Sequence, residues 1–156
     1  MNLSENDKAP QFKSRDQDGK PVALADFKGK KVVLYFYPED DTPTCTVEAC
    51  NLRDNYPLLQ KKGMVVLGVS PDDEKKHKKF GEKYNLPFTL VADPGKKIID
   101  QYGVWGEKNL YGRKYMGLQR TTFLIDEKGV IRKIFKKPRS KMHAEEIVKA
   151  WDALTS

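Results

Sequence analysis

The chain reads as an α/β protein: a central mixed β-sheet flanked by helices and opened by an N-terminal β-hairpin. Three observations predict it. Strand-like apolar runs alternate with helix-patterned segments along the sequence, as in folds that layer helices on a sheet. Two runs, Val32-Val33-Leu34-Tyr35-Phe36 and Met64-Val65-Val66-Leu67, are apolar at every position, as strands covered on both faces are. A closing pair, Thr121 to Ile125 and Val130 to Phe135, brackets the turn Asp126-Glu127-Lys128-Gly129; a hairpin there makes the sheet mixed.

Taken in order, Asp18-Gly19 marks the first hairpin turn, and a buried strand over Lys31 to Tyr37 stops at Pro38. The polar stretch Glu39-Asp40-Asp41-Thr42-Pro43 then leads into a helix. Thr42 suits the N-cap and Pro43 the first helical position. Val47, Leu52, Tyr56 and Leu59 carry the apolar spacing onward until Gly63 ends it. A strand over Met64 to Val69 follows. Ser70-Pro71-Asp72-Asp73 opens a second helix, with Phe80 and Tyr84 four apart on one face. Thr89 to Val91 reads as a short strand, Lys97 to Tyr102 as a short helix, and Ala144 to Leu154 as the closing helix. In such a layered sheet, functional residues belong on loops at strand C-termini.

The 156 residues suit a single domain, 1–156, with its own core. Met1 to Pro10 holds no apolar signal segment, and no stretch approaches the roughly 18 apolar residues of a membrane span. The expectation is a cytoplasmic protein with no membrane partner. The formal charge of +7 raises nucleic acid as a partner. However, the lysines come as scattered doublets interleaved with acids, the pattern of a solvated surface. The densest basic stretch, Arg132 to Lys141, is where an acidic partner would dock. His77 and His143 stand in separate segments without the ligand cluster a metal site needs, so neither a metal nor another cofactor is expected.

Two cysteines five positions apart, with no secretion signal, are poor material for a structural disulfide framework. They read either as small buried apolar residues or as a redox pair. Position favours chemistry at Cys45. A buried strand delivers it into the first turn of a helix, where free N–H groups and the positive dipole end stabilise a thiolate nucleophile. Cys50 lies further along the same helix, and ideal geometry separates the two Cα atoms by about 8.6 Å. Bridged Cα atoms are rarely more than about 7 Å apart. A Cys45–Cys50 disulfide therefore requires the turn to unwind after Cys45 has become a sulfenic acid.

Pro38-x-x-x-Thr42-x-x-Cys45 resembles the active-site signature of the peroxiredoxins. The segments 46–54, 67–70, 86–88, 92–94, 102–108 and 120–126 resemble the bacterioferritin-comigratory-protein, or peroxiredoxin Q, branch. The likeness covers nearly the whole chain and implies a thioredoxin-like fold and a thiol peroxidase. By resemblance, Cys45 is the peroxidatic cysteine and Arg120, across the site on a strand, its cationic partner. Thr42 offers its hydroxyl to the substrate, Pro38 shields the thiolate, and Glu48 orients the arginine. Cys50 matches the resolving cysteine of members that carry it in the same helix. The resemblance thus implies reduction of hydrogen peroxide or an alkyl hydroperoxide, an internal disulfide, recycling by thioredoxin or a similar dithiol protein, and a monomer. The branch has Gly before the peroxidatic cysteine where this chain has Thr44. Other peroxiredoxins carry Val there, so positive φ is not required.

Two other readings stay open on the residues alone: a one-cysteine peroxidase resolved by an external thiol, and a basic, non-enzymatic module that binds nucleic acid or acts as a chaperone. A disulfide reductase lacks its Cys-x-x-Cys.

Overall fold

The organising element is β3 (Lys31–Phe36), apolar from Val32 onward and interior in a seven-stranded sheet. The structure is a computed structural model and describes residues 3–155. The N-terminal hairpin pairs β1 (Lys13–Asp16) with β2 (Pro21–Ala23). The other strands of the sheet are β4 (Met64–Ser70), β5 (Thr89–Ala92), β8 (Thr121–Ile125) and β9 (Ile131–Phe135). Its order is β2-β1-β5-β4-β3-β8-β9. β3, β4 and β5 run parallel, while β1, β8 and β9 pair antiparallel to their neighbours. The expected mixed α/β sheet with an N-terminal hairpin is present.

Strand alternation sends β3 side chains to two cores. Val32, Leu34 and Phe36 join Val69, Phe123 and α4 (Lys97–Tyr102) on one face. Val33 and Tyr35 on the other meet α1 (Pro43–Asp54), α2 (Tyr56–Lys61), α3 (Glu74–Lys83) and α5 (His143–Thr155). Cys45 sits in this second core. Among the described residues no helix is long and apolar enough to cross a membrane.

Two details differ from the sequence reading. The helix expected from Pro43 to Gly63 is two helices, parted at Asn55. Pro57 has no N–H to give the Arg53 carbonyl, and the Asn55 side-chain amide donates to the Asn51 carbonyl at 2.8 Å. A second hairpin, β6 (Trp105–Leu110) with β7 (Arg113–Leu118), forms its own two-stranded sheet. Tyr111 and Gly112 turn it with positive φ at both positions, 52° and 78°, the two-residue turn that matches strand twist.

Gly68 is required by its register partner. Tyr35 lies opposite it in the parallel β3/β4 pair, and a Cβ on Gly68 would stand 2.9 Å from the Tyr35 ring and hydroxyl. That ring cannot retreat, being stacked on Tyr37 at 5.2 Å and packed edge-on to Phe88 at 6.0 Å. Gly68→Ala is expected to lower unfolding free energy by about 1–3 kcal/mol, the usual cost of overpacking. Urea denaturation measures it, and an unchanged midpoint would show the tyrosine stack to be mobile.

Candidate active site

β3 ends at Phe36, and the chain passes through Tyr37 and the half-buried Pro38 into a short acidic loop before α1 begins at Pro43. Thr42 occupies the N-cap position, yet its hydroxyl donates to the Glu39 carbonyl at 3.2 Å and caps nothing. The first-turn N–H groups are thus not taken by a capping side chain, which leaves the positive helix end to the third helical residue, Cys45. Thr44 sits in helical backbone outside the left-handed region, so the glycine of the resembling branch is not needed here.

Cys45 is 1% exposed, and Arg120 reaches it across the sheet. Nη2 of Arg120 donates to Cys45 Sγ at 3.2 Å, and Nη1 donates to Glu48 Oε1 at 2.8 Å. Arg120 lies in the link between β7 and β8, directly before Thr121, and not on a strand as expected. Arg120 sits ahead of the β3/β8 ladder, which begins at Thr121 paired with Phe36. Its side chain therefore leaves from the sheet end where Cys45 arrives. Burial works against the guanidinium charge, but Glu48 and the Cys45 sulfur outweigh it and raise its pKa.

Glu48, fully buried in α1, is raised to about 7 by burial, against the opposing pull of Arg120. Oε1 carries the Arg120 bond, while Oε2 has no hydrogen-bond partner among the described residues. Cys50 follows in the same unbroken α1, partly exposed, and both thiols are free. Of the residues singled out in the sequence, Arg120 bonds directly to both Cys45 and Glu48. Thr42 and Cys50 flank Cys45 along α1, and Pro38 is half-buried between β3 and the acidic loop.

Neighbouring groups escaped the sequence reading. His143, the first residue of α5, is buried; its Nε2 lies 2.8 Å from Thr122 Oγ1 and its Nδ1 3.2 Å from Glu146. Burial lowers its pKa, with Glu146 opposing. His77 is not isolated either: Asp40 and Asp72 bring carboxylate oxygens to it, all within 4.8 Å of one another. Those atoms are engaged within the chain. His77 Nδ1 lies 2.6 Å from Asp40 Oδ2 and Nε2 3.0 Å from the Val91 carbonyl. Lys76 holds Asp72 Oδ1 at 3.1 Å. The acidic run Glu39-Asp40-Asp41 carries no local mark of this pairing; it is the burial of Asp40 that obliges it to find a partner.

This arrangement sets a buried sulfur under an always-charged guanidinium, with donors suited to an oxygen that gains charge as a bond to it breaks. Comparison with known proteins shows the family. Residues 6–134 match the AhpC/TSA family. Peroxiredoxin Bcp of Escherichia coli K12 is 46% identical over 149 residues, spanning 96% of this chain and 95% of the relative. Peroxiredoxin Bcp of Bacillus subtilis 168 is 44% identical over 146 residues, spanning 94% and 93%. The solved Xanthomonas campestris bacterioferritin comigratory protein, studied for alkyl peroxide reduction, superposes with a TM-score of 0.86 at 32% identity, covering 93% of this chain and 92% of that one. The chain therefore belongs to the AhpC/TSA family as a peroxiredoxin of the Bcp type, a thiol peroxidase with a thioredoxin-like fold.

Proposed function

We propose that the chain, working as a single domain and a monomer in the cytoplasm, reduces hydrogen peroxide and alkyl hydroperoxides with Cys45 as nucleophile and Cys50 as resolving thiol. The observation that carries it is the Arg120 fork spanning Cys45 Sγ and Glu48. The thiolate attacks one peroxide oxygen, and the O–O bond breaks. The leaving oxygen takes a proton to depart as water or alcohol, and Cys45 becomes a sulfenic acid. Arg120 stabilises first the thiolate and then the charge on the leaving oxygen, Thr42 orients the substrate, Pro38 screens the site, and Glu48 positions the arginine.

Cys50 then attacks the Cys45 sulfur, expelling water and leaving a disulfide for thioredoxin or a similar dithiol protein to reduce. Intact mass after about one equivalent of hydrogen peroxide is the test. A loss of about 2 Da that disappears in Cys45→Ser and in Cys50→Ser supports the pair. A lasting gain of about 16 Da would instead leave a one-cysteine peroxidase, and no change would remove Cys45 from the chemistry.

A further inference from the structure

The acidic loop ahead of Cys45 is gripped, residue by residue, from α3 and its C-cap. Lys76 Nζ lies 2.7 Å from Glu39 Oε2. His77 Nδ1 lies 2.6 Å from Asp40 Oδ2. Lys83 Nζ donates to Asp41 Oδ2 at 2.8 Å, and the Tyr84 hydroxyl donates to Asp41 Oδ1 at 2.9 Å. Just before α3, Asp72 Oδ2 accepts from the Asp40 backbone N–H at 2.7 Å. Asp41 is held with φ at 63°, in the left-handed region that non-glycine residues seldom occupy.

These contacts are unequal. The lysine pairs are about half exposed and each contributes little. The His77–Asp40 pair is fully buried and fully bonded. The Val91 carbonyl only accepts, so His77 Nε2 carries a proton; the Tyr37 hydroxyl donates to Asp40 Oδ1 at 2.5 Å. Removing one partner would leave the other buried without its counterpart, which costs far more than a surface pair.

We propose that His77 and Asp40 are positioning residues that clamp the peroxidatic loop to α3, and so set how readily the first turn of α1 unwinds. This rests on Cys50 being the resolving thiol. In the closed form α1 is continuous from Cys45 to Cys50, too long a span for a disulfide. The Cys45 sulfenic acid then has two fates. With the turn open, Cys50 attacks sulfur, the S–S bond forms, the S–O bond breaks and water leaves. With the turn closed, a second peroxide transfers an oxygen to the same sulfur, giving the sulfinic acid and water or alcohol. A tighter clamp favours the second fate.

His77→Gln and Asp40→Asn are expected to speed disulfide formation after a peroxide pulse by about tenfold or more, given the large cost of breaking a buried pair. Under excess peroxide they should leave less of the species heavier by about 32 Da. Lys83→Met and Tyr84→Phe, which touch only the exposed Asp41 carboxylate of the loop, should shift both readings the same way by about twofold, even if the buried variants fold poorly. General loosening of the fold would free the turn as well, and exchange at a distant strand separates the two causes. Hydrogen exchange on the reduced full-length protein reads the clamp without redox chemistry. Amides 39–42 and 44–46 should exchange faster in His77→Gln while those of β8 keep their protection. Unchanged exchange there would overturn the clamp. Absence of the disulfide in the unsubstituted protein would overturn the Cys50 reading and the partition with it.

Discussion

Arg120→Met is expected to lower the second-order rate constant for oxidation of Cys45 by hydrogen peroxide by about 10²–10³-fold, the usual loss when one donor aimed at developing charge is removed. The guanidinium does two tasks at once. One nitrogen faces the sulfur at 3.2 Å and the other holds Glu48 at 2.8 Å. Methionine keeps much of the volume and abolishes both. Arg120→Lys should recover only part of the loss, because a single ammonium cannot reproduce a planar fork across two acceptors. Stopped-flow oxidation at neutral pH, with circular dichroism to verify the fold, makes the measurement. A fall of less than about threefold would mean that the helix N-terminus alone stabilises the reacting sulfur and that Arg120 serves only Glu48.

The same fork explains why some of the site could be read before the structure and some could not. β3 was legible because unbroken apolar character from Val32 to Phe36 leaves no solvent face, and the helix after it because Pro43 and Thr42 mark its start. The place of Cys45 was legible from that junction, in the first turn of the helix that follows a buried strand. Arg120 is 75 residues away, and no local pattern distinguishes it from other arginines; only the family likeness picked it out. The β6–β7 hairpin was missed because Glu107, Lys108, Asn109 and Lys114 show no alternation to read. Its strands are largely exposed, and Tyr111 in its turn is 99% exposed. The break at Asn55 was masked by apolar spacing that runs on through Leu59, although Pro57 signalled it. His77 and Asp40 could not be paired from sequence because a parallel crossover separates them by 37 residues.

Glu48→Gln is expected to stabilise the protein in a pH-dependent way, by about 3 kcal/mol above neutrality and by little below pH ~4.5. The sign follows from the direction of the shift. Burial raises the Glu48 pKa from 4.5 to about 7, so the folded protein holds a proton that the unfolded chain has released. Stability therefore declines as pH rises from about 4.5 through about 7, then levels off. Glutamine carries no ionisable proton, still offers an oxygen to Arg120, and escapes that decline. His143 titrates in the opposite sense, since its lowered pKa makes the fold lose stability as pH falls; it is common to both proteins and largely cancels in their difference. Urea denaturation of the pair at pH 5 and pH 8 reads the effect. A difference that does not change with pH would mean that the Arg120 bond at 2.8 Å keeps Glu48 ionised throughout. In that case the fork would face two anions at once, and its grip on the thiolate would be weaker by the share that Glu48 takes.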